Sequence, residues 1–317
     1  MKYLVTGGAG FVGSTVVDRL VHQGHDVIVY DNLSTGNLRF LENAKKHITF
    51  VKADLLDMKS LCKAMVGVDF VFHMAANADV KDNLKYPTKC LEQNTIATSN
   101  VLEAMRTCNV KRIAFASTGS IYGEPDVFPT PEDYHFPIQT SMYGASKLAC
   151  EGLLQAYAVG YDFQVFIFRF VSLMGERYTH GCVFDFYQRL RENPKGLHML
   201  GDGQQKKSYL YVQDCMDALF LAITKCKDNI NIFNLGTPEY IQVMPIANIV
   251  CKELGLNDVK FTYSGGERGW VGDSPFILLD VKKMMALGWK PKLNIEQAVK
   301  KTINWLKNNQ WVYDERT

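Results

Sequence analysis

Tyr143 and Lys147 stand four residues apart in Tyr143-Gly-Ala-Ser-Lys147, a spacing that places both side chains on one face of a helix. An ammonium beside a phenol favours the phenolate, so the pair reads as a general base, its tyrosine pKa drawn from about 10 toward neutrality. Ahead of it, Ser117-Thr118-Gly119-Ser120 follows an apolar run and sets the Thr118 hydroxyl at a strand end. At the N-terminus, Gly7, Gly10 and Gly13 follow Lys2-Tyr-Leu-Val-Thr6 and turn the chain into a helix beginning near Phe11. Glycine accepts positive φ and has no Cβ, so the backbone from Gly7 through Phe11, Val12 and Gly13 can approach a phosphate seated on the helix N-terminal dipole. Val27-Ile-Val-Tyr30 then ends in Asp31, near the ~20-residue offset at which an acidic side chain takes the ribose hydroxyls of a dinucleotide. A carboxylate there repels a 2′-phosphate, which favours NAD over NADP. A glycine triplet alone could be a tight turn, and Tyr143 with Lys147 alone could be an aromatic and a solvated charge; each gains weight from the other.

The elements that must position these groups alternate. After Asp31, Ile48–Val51 reads as a strand leading to Asp54 and a helix from about Met58 to Met65, and Val68–Met74 reads as a strand running into Ala75-Ala76-Asn77. A helix from about Pro87 to Cys108, a strand over Lys111–Ala116, a helix from Tyr143 to about Tyr157 and a strand over Gln164–Arg169 follow. Strand and helix in alternation imply an α/β fold with a doubly wound parallel sheet, whose ligands bind at the carboxyl ends of the strands. Thr6, Asp31, Asp54, Ala75 and Thr118 all fall there. The stretch from Glu124 to Thr140 holds four prolines and reads as a loop. Beyond Arg169, glycines, aromatics and scattered polar groups suggest a smaller C-terminal substrate lobe, closed by an amphipathic helix from Gln297 to Trp311.

Composition narrows the classes. With 317 residues, 47% hydrophobic and 21% charged, the chain is long enough for about two globular domains. A net charge of +2, with basic residues singly or in pairs, does not suggest a nucleic-acid partner. Eight dispersed cysteines without a C-x-x-C read as reduced core thiols of a cytoplasmic protein, and no metal is expected. No signal peptide precedes the first strand and no apolar run approaches the ~20 residues that span a bilayer.

Gly7-x-x-Gly10-x-x-Gly13, Asp31-Asn32-Leu, Asp54-Leu55, Ala75-Ala76, Asn94, Ser117-Thr118, Tyr143-x-x-x-Lys147 and Arg169-Phe-Val-Ser172 occur together in this order. In this the chain resembles the extended short-chain dehydrogenases/reductases, in the branch of NAD-dependent nucleotide-sugar epimerases and dehydratases that resemble UDP-glucose 4-epimerase. The resemblance implies a Rossmann NAD-binding domain over 1–170 plus about 208–236, and a nucleotide-sugar lobe over about 171–207 and 237–317. It implies that Asn32, Asp54, Leu55, Ala75, Ala76 and Asn94 join the glycine loop and Asp31 in holding NAD, and that Lys147 also holds the nicotinamide ribose. Thr118 would share the sugar C4 proton with Tyr143, with Asn77 and Ser117 beside the sugar. Ser172, Arg177, Lys207, Arg268 and Asp273 match the family's base and diphosphate contacts. Three departures stand there: serine at 172 where many 4-epimerases have asparagine, lysine at 207 where arginine is common, and five residues from Arg268 to Asp273 where the usual gap is shorter. Lysine meets phosphate as a point charge without arginine's fork, which leaves base and sugar open. The helices 87–108 and 143–157 would pair with their symmetry mates in a homodimer, with Leu153, Leu154 and Tyr157 at the seam.

Within such a family the residues after the threonine divide the chemistries, because elimination of water needs an extra acid and base. Gly119-Ser120 offers no carboxyl, which disfavours dehydration and favours reversible oxidation of a sugar carbinol at C4, a 4-epimerase. The alternatives are a nucleotide-sugar 4-dehydrogenase, for example on a GDP-sugar, that releases the keto sugar, and a non-catalytic NAD-binding regulator. His180 reads as a polar loop histidine rather than an additional base.

Overall fold

The computed structural model describes residues 1–78, 85–135 and 137–315. The first half alternates as its hydrophobic periods require: β1 (Lys2–Thr6), α1 (Phe11–His22), β2 (Asp26–Asp31), β3 (Ile48–Lys52), α2 (Met58–Met65), β4 (Phe70–His73), α3 (Pro87–Cys90), α4 (Ala97–Thr107), β5 (Arg112–Thr118), α5 (Met142–Tyr161) and β6 (Gln164–Phe170). The sheet has seven strands in the order Ile230–Leu235, β6, β5, β4, β1, β2, β3. The β1–β2, β1–β4, β2–β3 and β4–β5 pairs are parallel. The chain winds outward from β1 in both directions, so the carboxyl ends of β1 and β4 flank the point at which the strand order reverses, the crevice where such sheets take ligands.

Strand burial follows from having helices on both faces. Every residue of β4 is buried, as are five of the six in β2, and a continuous apolar run on both faces needs two covers. Leu4, Ile28, Val71, Ile113, Phe115, Val165 and Ile167 meet Val101, Leu102, Met105, Cys150 and Leu154 in one core cluster.

Three helices differ from expectation. The span 87–107 is not one helix: Leu91–Ile96 is a π-turn between α3 and α4, and such insertions are frequent at functional sites. α5 runs one turn beyond Tyr157 and stops at Asp162, whose φ of 57° and ψ of 45° is a left-handed cap. The C-terminal helix is shifted N-terminally, as given below.

The later chain forms β7 (Ser172–Met174), α6 (Cys182–Glu192), β8 (Gly196–Met199), β9 (Lys206–Lys207), β10 (Tyr209–Tyr211), α7 (Val212–Lys225), β11 (Ile230–Leu235), β12 (Ile241–Gln242), α8 (Val243–Leu254), β13 (Lys260–Tyr263), β14 (Phe276–Ile277), α9 (Lys282–Ala286), α10 (Ile295–Asn308) and α11 (Trp311–Asp314). By contact density the chain divides into one unit of residues 1–123, 139–169 and 219–233, and a second of 124–138, 170–218 and 234–317. This division differs from the expected boundaries in giving 124–138, 170, 208–218 and 234–236 to the second unit. The proline-rich segment is anchored there: Thr130 bridges Leu279, and Asn234 Nδ2 donates to the Thr130 carbonyl at 2.9 Å.

The second unit carries three small sheets, β10–β7, β12–β9–β14 and β13–β8. In α10 the buried residues Ile295, Ala298, Val299, Thr302, Ile303 and Leu306 recur at helical spacing, and a capping box between Asn294 and Gln297 fixes its start two residues ahead of the expected Gln297. α10 ends at Asn308, so Trp311 opens α11 instead of closing the helix.

Candidate active site

The glycine loop joins β1 to α1 with almost no free volume. Gly7 has φ +65°, and a Cβ there would lie 2.6 Å from the backbone N and Cα of Ala75; at Gly13 a Cβ would lie 2.1 Å from the Gly7 carbonyl oxygen. Only glycine fits at these two positions. α1 starts after Gly10 with no side-chain cap, and the first-turn N–H groups of a helix have no intrahelical acceptor, so the loop presents an anion site to the crevice. Asp31 is buried at 7% exposure, and its carboxylate accepts from Ala9 N at 2.9 Å and Leu33 N at 2.7 Å. It thereby ties the loop to the end of β2. Burial raises its pKa while those two amides oppose the rise. Asn32 Nδ2 donates to Asp54 at 2.8 Å, joining the β2 and β3 ends. This cradle fits a dinucleotide: close-approach glycines, a helix N-terminus and a carboxylate at the ribose offset.

Ala75 and Ala76 follow β4 directly. The floor they make is set by a buried histidine that sequence reasoning passed over. His73 Nδ1 lies 2.7 Å from Thr6 Oγ1 and Nε2 lies 3.0 Å from Thr98 Oγ1, linking β1 to α4 under the loop. Burial first, and the Lys147 charge second, push its pKa down to about 3, so the ring is neutral. Asn94 sits in the π-turn at 2% exposure. Its Oδ1 accepts from Asn77 N at 2.8 Å and its Nδ2 donates to Ser146 Oγ at 2.9 Å. Both ends of that amide are engaged within the protein, so Asn94 ties Asn77 to α5.

Thr118, Tyr143 and Lys147 are brought together where β5 meets α5. Ser141 caps α5 by accepting from Gly144 N at 3.0 Å, which fixes Tyr143 in the first turn. Burial raises the Tyr143 phenol to about 12, against the lowering influence of the Thr118 hydroxyl beside it. The expected depression by Lys147 is therefore not what this arrangement produces: the ammonium is turned to the Ala116 carbonyl at 2.8 Å and lies 4.4 Å from the Phe115 ring centroid. Lys147 is itself almost fully buried, and desolvation lowers its pKa to about 8.

Ser117 faces the other way. Strand alternation turns it away from the Thr118 side, and at 2% exposure its hydroxyl donates to Glu151 at 2.5 Å. Glu151 also takes Arg169 in a buried ion pair at 2.8 Å. Thr118 Oγ1 donates to Ser120 Oγ at 3.2 Å, and no carboxyl stands at 119 or 120.

In the second unit Lys207, Arg268 and Asp273 are neighbours. Lys207 pairs with Asp273, whose other oxygen accepts from Gly269 N at 3.0 Å. Arg268 Nη1 donates to the Asp273 carbonyl at 3.4 Å, while its guanidinium also pairs with Glu124, Nη2 to Oε2 at 2.9 Å. The Lys207 ammonium lies 5.1 Å from the Trp270 ring centroid. Ser172 opens β7 in register with Tyr209 of β10. Arg177 follows in left-handed backbone with φ 68°, and exposed His180 stacks on Tyr178 at 5.8 Å between centroids.

Residues 3–236 match the NAD dependent epimerase/dehydratase family. The chain belongs to that family. A member from Methanocaldococcus jannaschii, named as a putative UDP-glucose 4-epimerase, is 34% identical over 96% of this chain and 98% of its own. A crystal structure of a UDP-galactose 4-epimerase superposes with a TM-score of 0.88 at 36% identity, over 98% of this chain and all of that one. The UDP-glucose 4-epimerase of Thermotoga maritima, solved with UDP-glucose, gives 0.88 at 32% identity over the same shares. This epimerase/dehydratase family member is thus an NAD-dependent enzyme on an extended short-chain dehydrogenase/reductase fold. Among the described residues no group of three or more His, Cys, Asp or Glu could hold a metal ion. Nor is any described helix long and apolar enough to cross a membrane.

Proposed function

We propose that the chain is a nucleotide-sugar 4-epimerase that oxidises C4 of its substrate transiently and reduces it again from the other face. The observation that carries this reading is the meeting of Thr118 with Tyr143 and Lys147 of α5, at a strand end without a carboxylic acid at 119 or 120. When bound, NAD supplies the hydride acceptor and donor. The backbone of Gly7, Gly10, Phe11, Val12 and Gly13 would receive its diphosphate, Asp31 with Asn32 its adenosine ribose, and Asp54, Leu55, Ala75 and Ala76 would line its path. Asp31 also makes NADP the weaker ligand.

Tyr143 accepts the C4 hydroxyl proton, directly or through Thr118, and returns it after the keto sugar has turned over. A phenol with pKa near 12 is protonated at neutral pH, so its phenolate would need the positive charge that the bound cofactor would supply. Lys207 and Arg268 meet the sugar-nucleotide diphosphate. Lys207 would exchange its Asp273 carboxylate for phosphate oxygens, and Ser172, Arg177 and Asp273 lie in the same lobe to bind the nucleoside.

A homodimer through α4 and α5 is supported by an uncharged outer face on α5. Met142, Ala149, Gly152, Ala156, Val159 and Gly160 are exposed, while Lys147 and Glu151, the helix's charged residues, point inward. Leu154 is fully buried in the core cluster and cannot contribute to that seam; Leu153 and Tyr157 are part-buried. All eight cysteines are free thiols, which supports a cytoplasmic setting.

The test is incubation of the pure protein with NAD and UDP-, GDP-, CDP- and dTDP-sugars, followed by NMR of the products. C4 epimers at equilibrium with no accumulation of NADH are expected; stoichiometric NADH with released keto sugar would identify a dehydrogenase instead.

A further inference from the structure

Tyr143, Lys147 and Glu151 recur every four residues on α5, and each grips one of three consecutive residues of β5. Tyr143 meets Thr118, Lys147 Nζ donates to the Ala116 carbonyl, and Glu151 accepts from Ser117 Oγ. Glu151 is 1% exposed and Arg169 is 7%. Arg169 holds the carboxylate through Nε to Oε1 at 3.1 Å, Nε to Oε2 at 3.2 Å and Nη2 to Oε2 at 2.8 Å, and its Nη1 donates to the Tyr122 hydroxyl at 2.6 Å. One carboxylate thus joins α5, the end of β5 and the end of β6, with Tyr122 on the turn that follows Thr118.

We propose that Glu151 is a positioning residue of the Tyr143–Lys147 centre: it pins the end of β5 to α5 and sets a carboxylate one helical turn from Lys147. Desolvation drives Lys147 toward the neutral amine, and Glu151 is among the groups opposing it. Among the described residues, the groups facing Lys147 are Cys150 and Glu151 from α5, Cys90 from α3, the neutral His73 from β4, and the Phe115 ring and the Ala116 carbonyl from β5. Cys150 is a thiol whose pKa burial raises, so it carries no charge near neutrality, and Glu151 is the carboxylate of the set. Arg169 cancels part of its field from the far side, which makes the pair a graded control: loss of Glu151 alone leaves an unbalanced cation, while loss of both removes the field altogether.

The inference rests on the reading of Lys147 as the residue that holds the nicotinamide ribose, and NAD affinity reports it without any turnover. The affinity of wild type, Glu151→Gln and the Glu151→Gln/Arg169→Gln double variant is measured by calorimetry from pH 6 to 10. Wild type should lose affinity as Lys147 deprotonates. That limb should move to lower pH by about one unit or more in Glu151→Gln and by less in the double variant, and affinity should recover on acidification. If the single variant does not fold, the double variant carries the test, since a neutral pair leaves no unpartnered buried charge. A purely packing role would weaken binding at every pH without moving the limb. A limb that stays in place in a folded variant overturns the proposal, whereas absence of epimerisation by wild type would overturn the epimerase reading and leave this measurement standing.

Discussion

Replacing Gly7 by alanine tests the cofactor cradle at its narrowest point. The substitution forces a side chain into left-handed backbone at φ +65°, which costs about 1–2 kcal/mol. It also puts a methyl carbon 2.6 Å from the Ala75 backbone, where neither partner is a flexible side chain, and overpacking of that kind costs about 1–3 kcal/mol. Together about 2–5 kcal/mol of stability should go, a large share of the 5–15 kcal/mol a domain has. Any relief must come from moving the loop off the end of β4, so the molecules that remain folded should bind NAD at least about tenfold more weakly, or about 1.4 kcal/mol. Gly24→Ala is the internal control: it has φ +76° with nothing within 4 Å of its would-be Cβ, and should lose only the backbone share. Urea unfolding gives the stability difference and calorimetry the affinity. A Gly7→Ala protein no less stable than Gly24→Ala, with wild-type NAD affinity, would refute both the steric argument and the placement of the diphosphate.

Tyr143→Phe keeps the ring and its packing but removes the proton acceptor; turnover should fall by about 10²–10⁴, or 3–5 kcal/mol of barrier, with NAD binding retained, and near wild-type rates in a folded variant would exclude Tyr143 as the base. His73 ties stability to pH. Its folded pKa near 3 lies below the ordinary 6.5, so its contribution is intact above pH 6.5 and is lost progressively as pH falls toward 3. Between pH 7 and pH 5 this amounts to about 2 kcal/mol, read as the loss of stability in wild type beyond that in His73→Gln; equal losses in the two proteins would contradict it. Val159→Asp places a charge on a residue that is 81% exposed on the outer face of α5, and light scattering should show the proposed dimer weakened toward the 35.9 kDa chain, an outcome excluded if wild type is already monomeric at micromolar concentration.

What could be read from sequence was what short spacings encode. Gly7, Gly10, Gly13 and Asp31 reveal a strand, turn and helix within one βαβ unit, and Tyr143 with Lys147 reveals one helical turn, so their positions followed from local periodicity alone. The π-turn at 91–96 escaped because one extra residue in a helix leaves the apolar pattern nearly unchanged. Ser117 was grouped with Thr118 by proximity, although strand alternation already puts the two on opposite faces. Glu151 continues the Tyr143, Lys147 spacing by one more step, a usable signal, but its partners Ser117 and Arg169 come from two different strands. Lys207 and Asp273 are 66 positions apart; no pattern in either segment announces the other. The sign of the Tyr143 shift was missed for a related reason, since desolvation depends on everything packed around the phenol and not on its neighbour in the helix.

The place of β11 at the edge of the large sheet bears on how the chain is made. The six strands that precede it are complete once Phe170 has left the ribosome, but the strand that covers the open side of β6 ends only at Leu235. For some 65 residues of synthesis, or several seconds at about 5–20 residues per second, β6 presents an uncovered row of N–H and C=O groups bearing Val165, Ile167 and Phe168. Such a row is a template for pairing with another nascent copy. A premature stop or a truncation between Phe170 and Ile230 would make that exposure permanent, so fragments ending there should accumulate as aggregates, whereas chains extended past Leu235 have the means to close their own edge.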